Sequence, residues 1–289
     1  MFQPQFVDVD DVLLHVEADG PEDGPPALFL HGWPDLWLTF ADQMAALADG
    51  GYRVLAPDQR GYGLSSKPPS VADYAMPFLV KDIALLVERQ GLGPVHLVGH
   101  DWGGAVAWAV AVERPDLVRS LTIVNCPHPR VMARALLTMP SQMLRSWYMV
   151  LIQVPGLAEA VLGARDGAVL AAMLKRGAHL GDADIAKHRA VWRHPGAIQR
   201  PLFWYRAMFR TVLSGILARR VPAEQRVRVP TQIIWGARDG AFDTRLVDRS
   251  AALCEESEVH MLDTGHWPHH EEPAKVTALL EAWFARHGR

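Results

Sequence analysis

Cysteine, tyrosine and excess charge are all scarce in this chain. Its 289 residues include two cysteines, Cys126 and Cys254, far apart and outside any C-x-x-C spacing, which excludes a disulfide framework and offers no zinc-type ligand set. A reducing compartment, the cytoplasm, is the expected location. Lys and Arg number 29 against 32 Asp and Glu, a net charge of -3, so the overall balance provides no electrostatic footprint for a nucleic acid or an acidic membrane. No apolar run approaches the ~18 residues of a membrane span, so no membrane insertion is expected. Met1-Phe2-Gln3-Pro4-Gln5 has no basic stretch leading into an apolar one, so no signal peptide is expected. Internal repeats and low-complexity segments are absent. Tyrosine is the last scarcity, at five residues against ten tryptophans.

What is present is an ordinary globular composition, 49% hydrophobic and 21% charged, long enough for one large α/β domain or a core with a smaller inserted unit. Short apolar runs bounded by Gly, Pro or Asp, at 27–30, 53–56, 95–99 and 121–125, read as buried strands. Between them, 38–47, 76–90 and 104–114 carry helical spacing. That alternation implies βαβ units and a parallel sheet. After Pro127-His128-Pro129 the chain turns Ala/Leu/Met/Arg-rich and helical, broken at Pro140, Pro155-Gly156, Gly181 and Pro195-Gly196. The βα rhythm then resumes with strands at 231–236 and 258–262 and helices near 245–254 and 273–286. The expected organisation is a discontinuous core of 1–126 and 225–289, with a helical cap of 127–224 inserted between its halves.

Five stretches stand out. Val98-Gly99-His100-Asp101-Trp102-Gly103-Gly104 is a G-x-D-x-G form of the nucleophile elbow, a tight strand-to-helix turn that pushes one side chain, here Asp101, out above the sheet. The same Asp before a helix could instead be an N-cap. His31-Gly32-Trp33-Pro34 follows a strand where such a fold places an oxyanion-hole loop, which makes the amides of Trp33 and Trp102 the candidate donors. Asp58-Gln59-Arg60-Gly61-Tyr62-Gly63-Leu64-Ser65 is glycine-punctuated but lacks a phosphate-loop ending and reads as structural. Asp239 and His266 follow the strands at 231–236 and 258–262, on the carboxyl edge where open α/β sheets build sites. Nucleophile, acid and histidine then come in α/β-hydrolase order. Asp243 is the reserve acid, and His269 and His270 are passed over because they lie at a helix start.

Taken together, these stretches and Thr264-Gly265-His266-Trp267 resemble the α/β-hydrolases of the epoxide hydrolase and haloalkane dehalogenase group. The resemblance spans both halves of the core in order and implies a mostly parallel sheet flanked by helices under a helical lid. It also implies that Asp101 is the nucleophile, His266 the base and Asp239 the acid that orients it. His31, Trp33, Trp102 and Trp267 are the expected pocket residues. A carboxylate is already ionised at pH 7 and can attack a saturated carbon directly, forming an ester. Histidine is needed only to activate the water that cleaves that ester.

The leaving group is decided in the cap. An epoxide oxygen becomes an alkoxide and needs a proton donor, a task suited to tyrosine. The cap holds just two tyrosines, Tyr148 and Tyr205, in segments similar to the two tyrosine-bearing lid segments of epoxide hydrolases. A haloalkane dehalogenase is the alternative, supported by Trp102 but weakened by Trp33, where those enzymes commonly have Asn. Fluoroacetate-type dehalogenases carry arginines where this chain has Trp102 and Ala105. A ligand-binding receptor of the same fold is the reading from another class. The expected reaction opens a small hydrophobic epoxide with water to a vicinal diol, with no metal or organic cofactor. Oligomeric state is not read from the sequence.

Overall fold

The computed structural model describes residues 2–217 and 226–288. Eight strands form one sheet in the order β1-β2-β4-β3-β5-β6-β7-β8. They are β1 Gln3–Asp8, β2 Leu13–Asp19, β3 Pro26–Leu30, β4 Arg53–Pro57, β5 Val95–His100, β6 Val118–Val124, β7 Thr231–Gly236 and β8 Ser257–Leu262. The β1–β2 and β2–β4 pairs are antiparallel and all the others are parallel. Sequence reading found the six parallel strands to within a few residues and missed the β1–β2 hairpin.

The central strands are continuous apolar runs because helices cover both faces of the sheet. On one face lie α2 (Met76–Arg89) and α3 (Trp102–Glu113), and on the other α1 (Ala41–Asp49) and α12 (Pro273–Arg286). In α12 the residues Val276, Leu280, Trp283 and Phe284 recur every three or four positions and are fully buried or nearly so. Each such side chain contributes roughly 1.5–3 kcal/mol by leaving water. α10 (Arg245–Ala251) and the short α11 (Pro268–Glu271) complete the core half.

Between β6 and β7 the insert contains only helices among its described residues: α4 Pro129–Thr138, α5 Pro140–Arg145, α6 Trp147–Ile152, α7 Leu157–Gly177, α8 Asp182–Trp192 and α9 Gln199–Leu217. The breaks expected at Pro140, Pro155-Gly156, Gly181 and Pro195-Gly196 all separate helices. Two more were not anticipated, at Ser146 and within α7, where Ala164–Gly167 leaves helical geometry and Arg165 and Asp166 take positive φ. The far boundary of the insert, placed at 224/225 from sequence, lies outside the described residues.

Candidate active site

Asp101 stands at the turn from β5 into α3 with φ 48° and ψ −119°. An L residue there costs of order 1–3 kcal/mol, a strain characteristic of functional turns. The turn closes only because its neighbours lack side chains. A Cβ on Gly103 would come 2.1 Å from the Leu30 carbonyl oxygen, and one on Gly32 would come 2.4 Å from Cβ of Asp101. The N-cap alternative fails, since the Asp101 carboxylate makes no capping hydrogen bond to α3. Its Oδ1 instead accepts a hydrogen bond from the Trp33 amide at 2.9 Å. The Trp102 amide, the second expected donor, is not hydrogen-bonded to this carboxylate. It belongs to the first turn of α3, where helix N–H groups have no intrahelical partner.

His266 faces Asp101 from the loop after β8, with Nε2 3.6 Å from Oδ2 of Asp101. Its Nδ1 is 2.9 Å from Oδ2 of Asp239, so the ring is oriented by one carboxylate and aimed at the other. Asp239 is held in turn: Oδ1 accepts the amides of Ala241 and Phe242 at 2.6 and 3.1 Å, and Oδ2 accepts Asn125 Nδ2 at 2.6 Å. Asp243, the reserve acid, pairs with Arg245 and Ser141 instead and anchors the insert to the core. All three members of the triad are buried. Burial alone would lower the His266 pKa, but Asp239 and Asp101 raise it to about 10. Burial likewise opposes ionisation of Asp101 and Asp239, and the His266 cation holds both carboxyls below the usual carboxylate range.

Tyr148 on α6 and Tyr205 on α9 stand above this triad with ring centroids 6.1 Å apart. Two cavity lobes of about 280 and 400 Å³ meet at them, and Asp101, Tyr148 and Tyr205 line both. Burial first, and the Asp101 charge as a further cause, push both phenols up, so each keeps its proton. Trp102 lines one lobe, while Trp33, His266 and Trp267 line the other. His31, expected in the pocket, lines neither lobe. Its buried ring accepts the Gln59 amide on Nε2 at 3.1 Å and lies 3.0 Å from the Gly32 carbonyl through Nδ1, so it braces the loop from behind.

Residues 25–273 match the alpha/beta hydrolase fold family. The AB hydrolase superfamily protein YfhM of Bacillus subtilis is 38% identical over 280 residues, 96% of each chain. Epoxide hydrolase 1 of Caenorhabditis elegans is 30% identical across 98% of this chain and 70% of its own length. The crystal structure of an epoxide hydrolase from Bacillus megaterium superposes with a TM-score of 0.87 at 30% identity, covering 96% of this chain and 99% of that one. The chain belongs to the epoxide hydrolase family of the α/β-hydrolase fold.

Within that family frame, two features went unread in the sequence. Asn125 ends β6 at φ 42° and joins the sheet to the triad, donating to Asp239 while accepting the Gly236 amide at 2.9 Å. Its only sequence signal is its place at a strand's carboxyl end. The second feature is a fully buried pair that ties the insert to the Trp33 loop. His188 of α8 donates through Nε2 to Asp35 at 2.8 Å, and its Nδ1 lies 2.8 Å from the Asp184 carbonyl. Both ring nitrogens face acceptors, so the ring is an imidazolium.

Proposed function

We propose that this protein is an epoxide hydrolase that works through an alkyl ester on Asp101. In this reading Oδ2 of Asp101 attacks a ring carbon, the carbon–oxygen bond breaks, and the departing alkoxide takes a proton from Tyr148 or Tyr205. Oδ1, already held by the Trp33 amide, becomes the ester carbonyl oxygen. Water then attacks the Asp101 carboxyl carbon while Nε2 of His266 removes its proton, and negative charge gathers on Oδ1 opposite the Trp33 and Trp102 amides. Collapse expels the diol, which takes the proton from His266. The proton that resting His266 gives up once the ester forms passes to the tyrosinate, and the second proton of the water, left on the Asp101 carboxyl, returns to His266, so the net reaction is epoxide plus water to diol.

Esterification itself supplies the base. While Asp101 is ionised, His266 is cationic and cannot accept a proton. Once the ester forms, one of the two carboxylates that raise its pKa is neutral, and the imidazole loses its proton at a lower pH. The observation that carries the epoxide reading is the pair of protonated phenols that line both cavity lobes together with Asp101. A departing halide needs no proton donor, so that pair has no task in dehalogenation. The test follows diol and bromide from styrene oxide and a bromoalkane, with His266→Gln alongside. Diol release by the parent chain and an ester on Asp101 of the variant, seen by mass spectrometry, are expected. Bromide without diol overturns the epoxide reading, and turnover without an adduct in the variant overturns the ester.

A further inference from the structure

The large apolar side chains that stand in water are concentrated on the insert. Leu144, Val150 and Trp147 are 75%, 65% and 62% exposed, and Val154, Leu157 and Val161 continue the series into α7. Helices of a soluble protein normally turn their polar face outward, and a contiguous apolar face marks a surface that something covers. Trp147, Leu157 and Val161, with exposed Val169, also line the 400 Å³ lobe that reaches Asp101. The patch is therefore the outer rim of the substrate cavity.

The charge of the chain is segregated in the same way. Residues 127–212 hold twelve Arg and Lys against four Asp and Glu, a net +8, which leaves −11 for the rest of a chain of −3. The near-neutral total conceals this division. Exposed Arg165 and Arg176 share a surface concavity with Val169 and Met173 at the edge of the patch, and neither makes an ion pair among the described residues.

We infer that this face of the insert docks on an anionic lipid bilayer, and that the 400 Å³ lobe takes a lipid-dissolved epoxide from it. An apolar centre with exposed tryptophan and a cationic border is the composition that binds the interfacial plane of a membrane. No helix among the described residues is long and apolar enough to cross one, so the contact is superficial. A second copy is a poorer occupant, because a two-fold contact opposes +8 to +8 and seals the cavity mouth. The identity of what enters the lobe rests on the epoxide reading; the docking does not.

The test is co-sedimentation of the full chain with vesicles of phosphatidylcholine alone and of equal parts phosphatidylcholine and phosphatidylglycerol, with sedimentation velocity in parallel. Binding to the mixed vesicles, weakened by salt, is expected. Arg165→Gln with Arg176→Gln should reduce partitioning about thirty-fold, and Leu144→Ser with Val150→Ser should abolish it. Both double variants should keep the parent's circular dichroism melt and its turnover of water-soluble styrene oxide. No binding to mixed vesicles, equal binding by all three proteins, or a dimer that Leu144→Ser with Val150→Ser dissolves overturns the inference. Vesicle binding without turnover of any epoxide leaves the docking intact and sinks the proposed reaction instead.

Discussion

Replacing Asp101 by Asn keeps the shape of the elbow and removes the charge that esterification would remove, so it isolates the step that turns His266 into a base. Nε2 of His266 lies 3.6 Å from Oδ2 of Asp101, and at an effective dielectric near 20 two unit charges that far apart attract by about 4–5 kcal/mol. That is worth about three pH units in a proton equilibrium. In the parent protein His266 titrates at about 10, so in Asp101→Asn it should titrate about three pH units lower, where neutral imidazole is available near neutrality. Stability follows the same linkage. A raised histidine pKa contributes stability that is complete below the unfolded value of 6.5 and is lost as pH rises through about 10. The variant should lose its smaller share of that stability at correspondingly lower pH. The assay is proton–carbon NMR with carbon-13-labelled histidine, the His266 signal being assigned by its disappearance in His266→Gln. A His266 titration that moves by less than about one pH unit refutes the idea that alkylation of Asp101 switches on the base.

Two further predictions rest on the insert. Tyr148→Phe and Tyr205→Phe should each slow alkylation, and the double variant should slow it by about 10²–10⁴-fold, the usual worth of general acid catalysis. Quenching of tryptophan fluorescence in a stopped-flow instrument reads this step, because Trp33, Trp102 and Trp267 line the cavity; unchanged rates in all three proteins would return the tyrosines to packing. His188→Ala leaves the fully buried Asp35 carboxylate without its cation, a loss of about 3–5 kcal/mol. Burial opposes the charge on His188, but the hydrogen bond and charge of Asp35 raise its pKa. The pair's contribution is therefore complete below pH 6.5 and lost as pH rises through the higher folded-state value. Urea unfolding should find parent and variant converging at alkaline pH, and a gap that does not change with pH overturns the assignment of an imidazolium.

The parallel strands were legible because each is a short apolar run closed by Gly, Pro or Asp, and a sheet covered on both faces demands that pattern. β1 was not, because Gln3-Pro4-Gln5 offers a weak strand signal and the hairpin gains its stability from pairing β2 to β4 across the sheet. Asp101, Asp239 and His266 were legible from the strand ends they follow. Asn125 was not, since its partner Asp239 is 114 positions away in sequence and adjacent only after β6 and β7 pair. His31 misled because its loop lines the site while its own ring turns inward to the Gln59 amide. The kink in α7 has positive φ at Arg165, Asp166 and Gly167, and its one signal, the turn dipeptide Asp166-Gly167, is hidden inside a run of otherwise helical composition.

The spacing of the two tyrosines is a product of how the insert is fastened. Tyr205 follows Trp204, whose indole Nε1 donates to the Arg60 carbonyl at 3.0 Å. Arg60 is itself fixed by two contacts to Asp82, at 2.7 and 2.6 Å. One turn of the core therefore sets the depth of α9. Arg206, the next residue, donates to the Ile152 carbonyl at 2.8 Å and to Glu159 at 2.7 Å, which clamps α9 to the end of α6 and the start of α7. Tyr148 rides on α6, so its separation from Tyr205 is set by Arg206 and its height above Asp101 by Trp204. The glycine-punctuated loop at 58–65, which reads as structural in the sequence, thus reaches the proposed proton donors through Trp204, by the Arg60 carbonyl and by the Tyr62 ring 5.4 Å from the indole, while Trp102 of the core packs edge-on against Tyr205 at 4.9 Å.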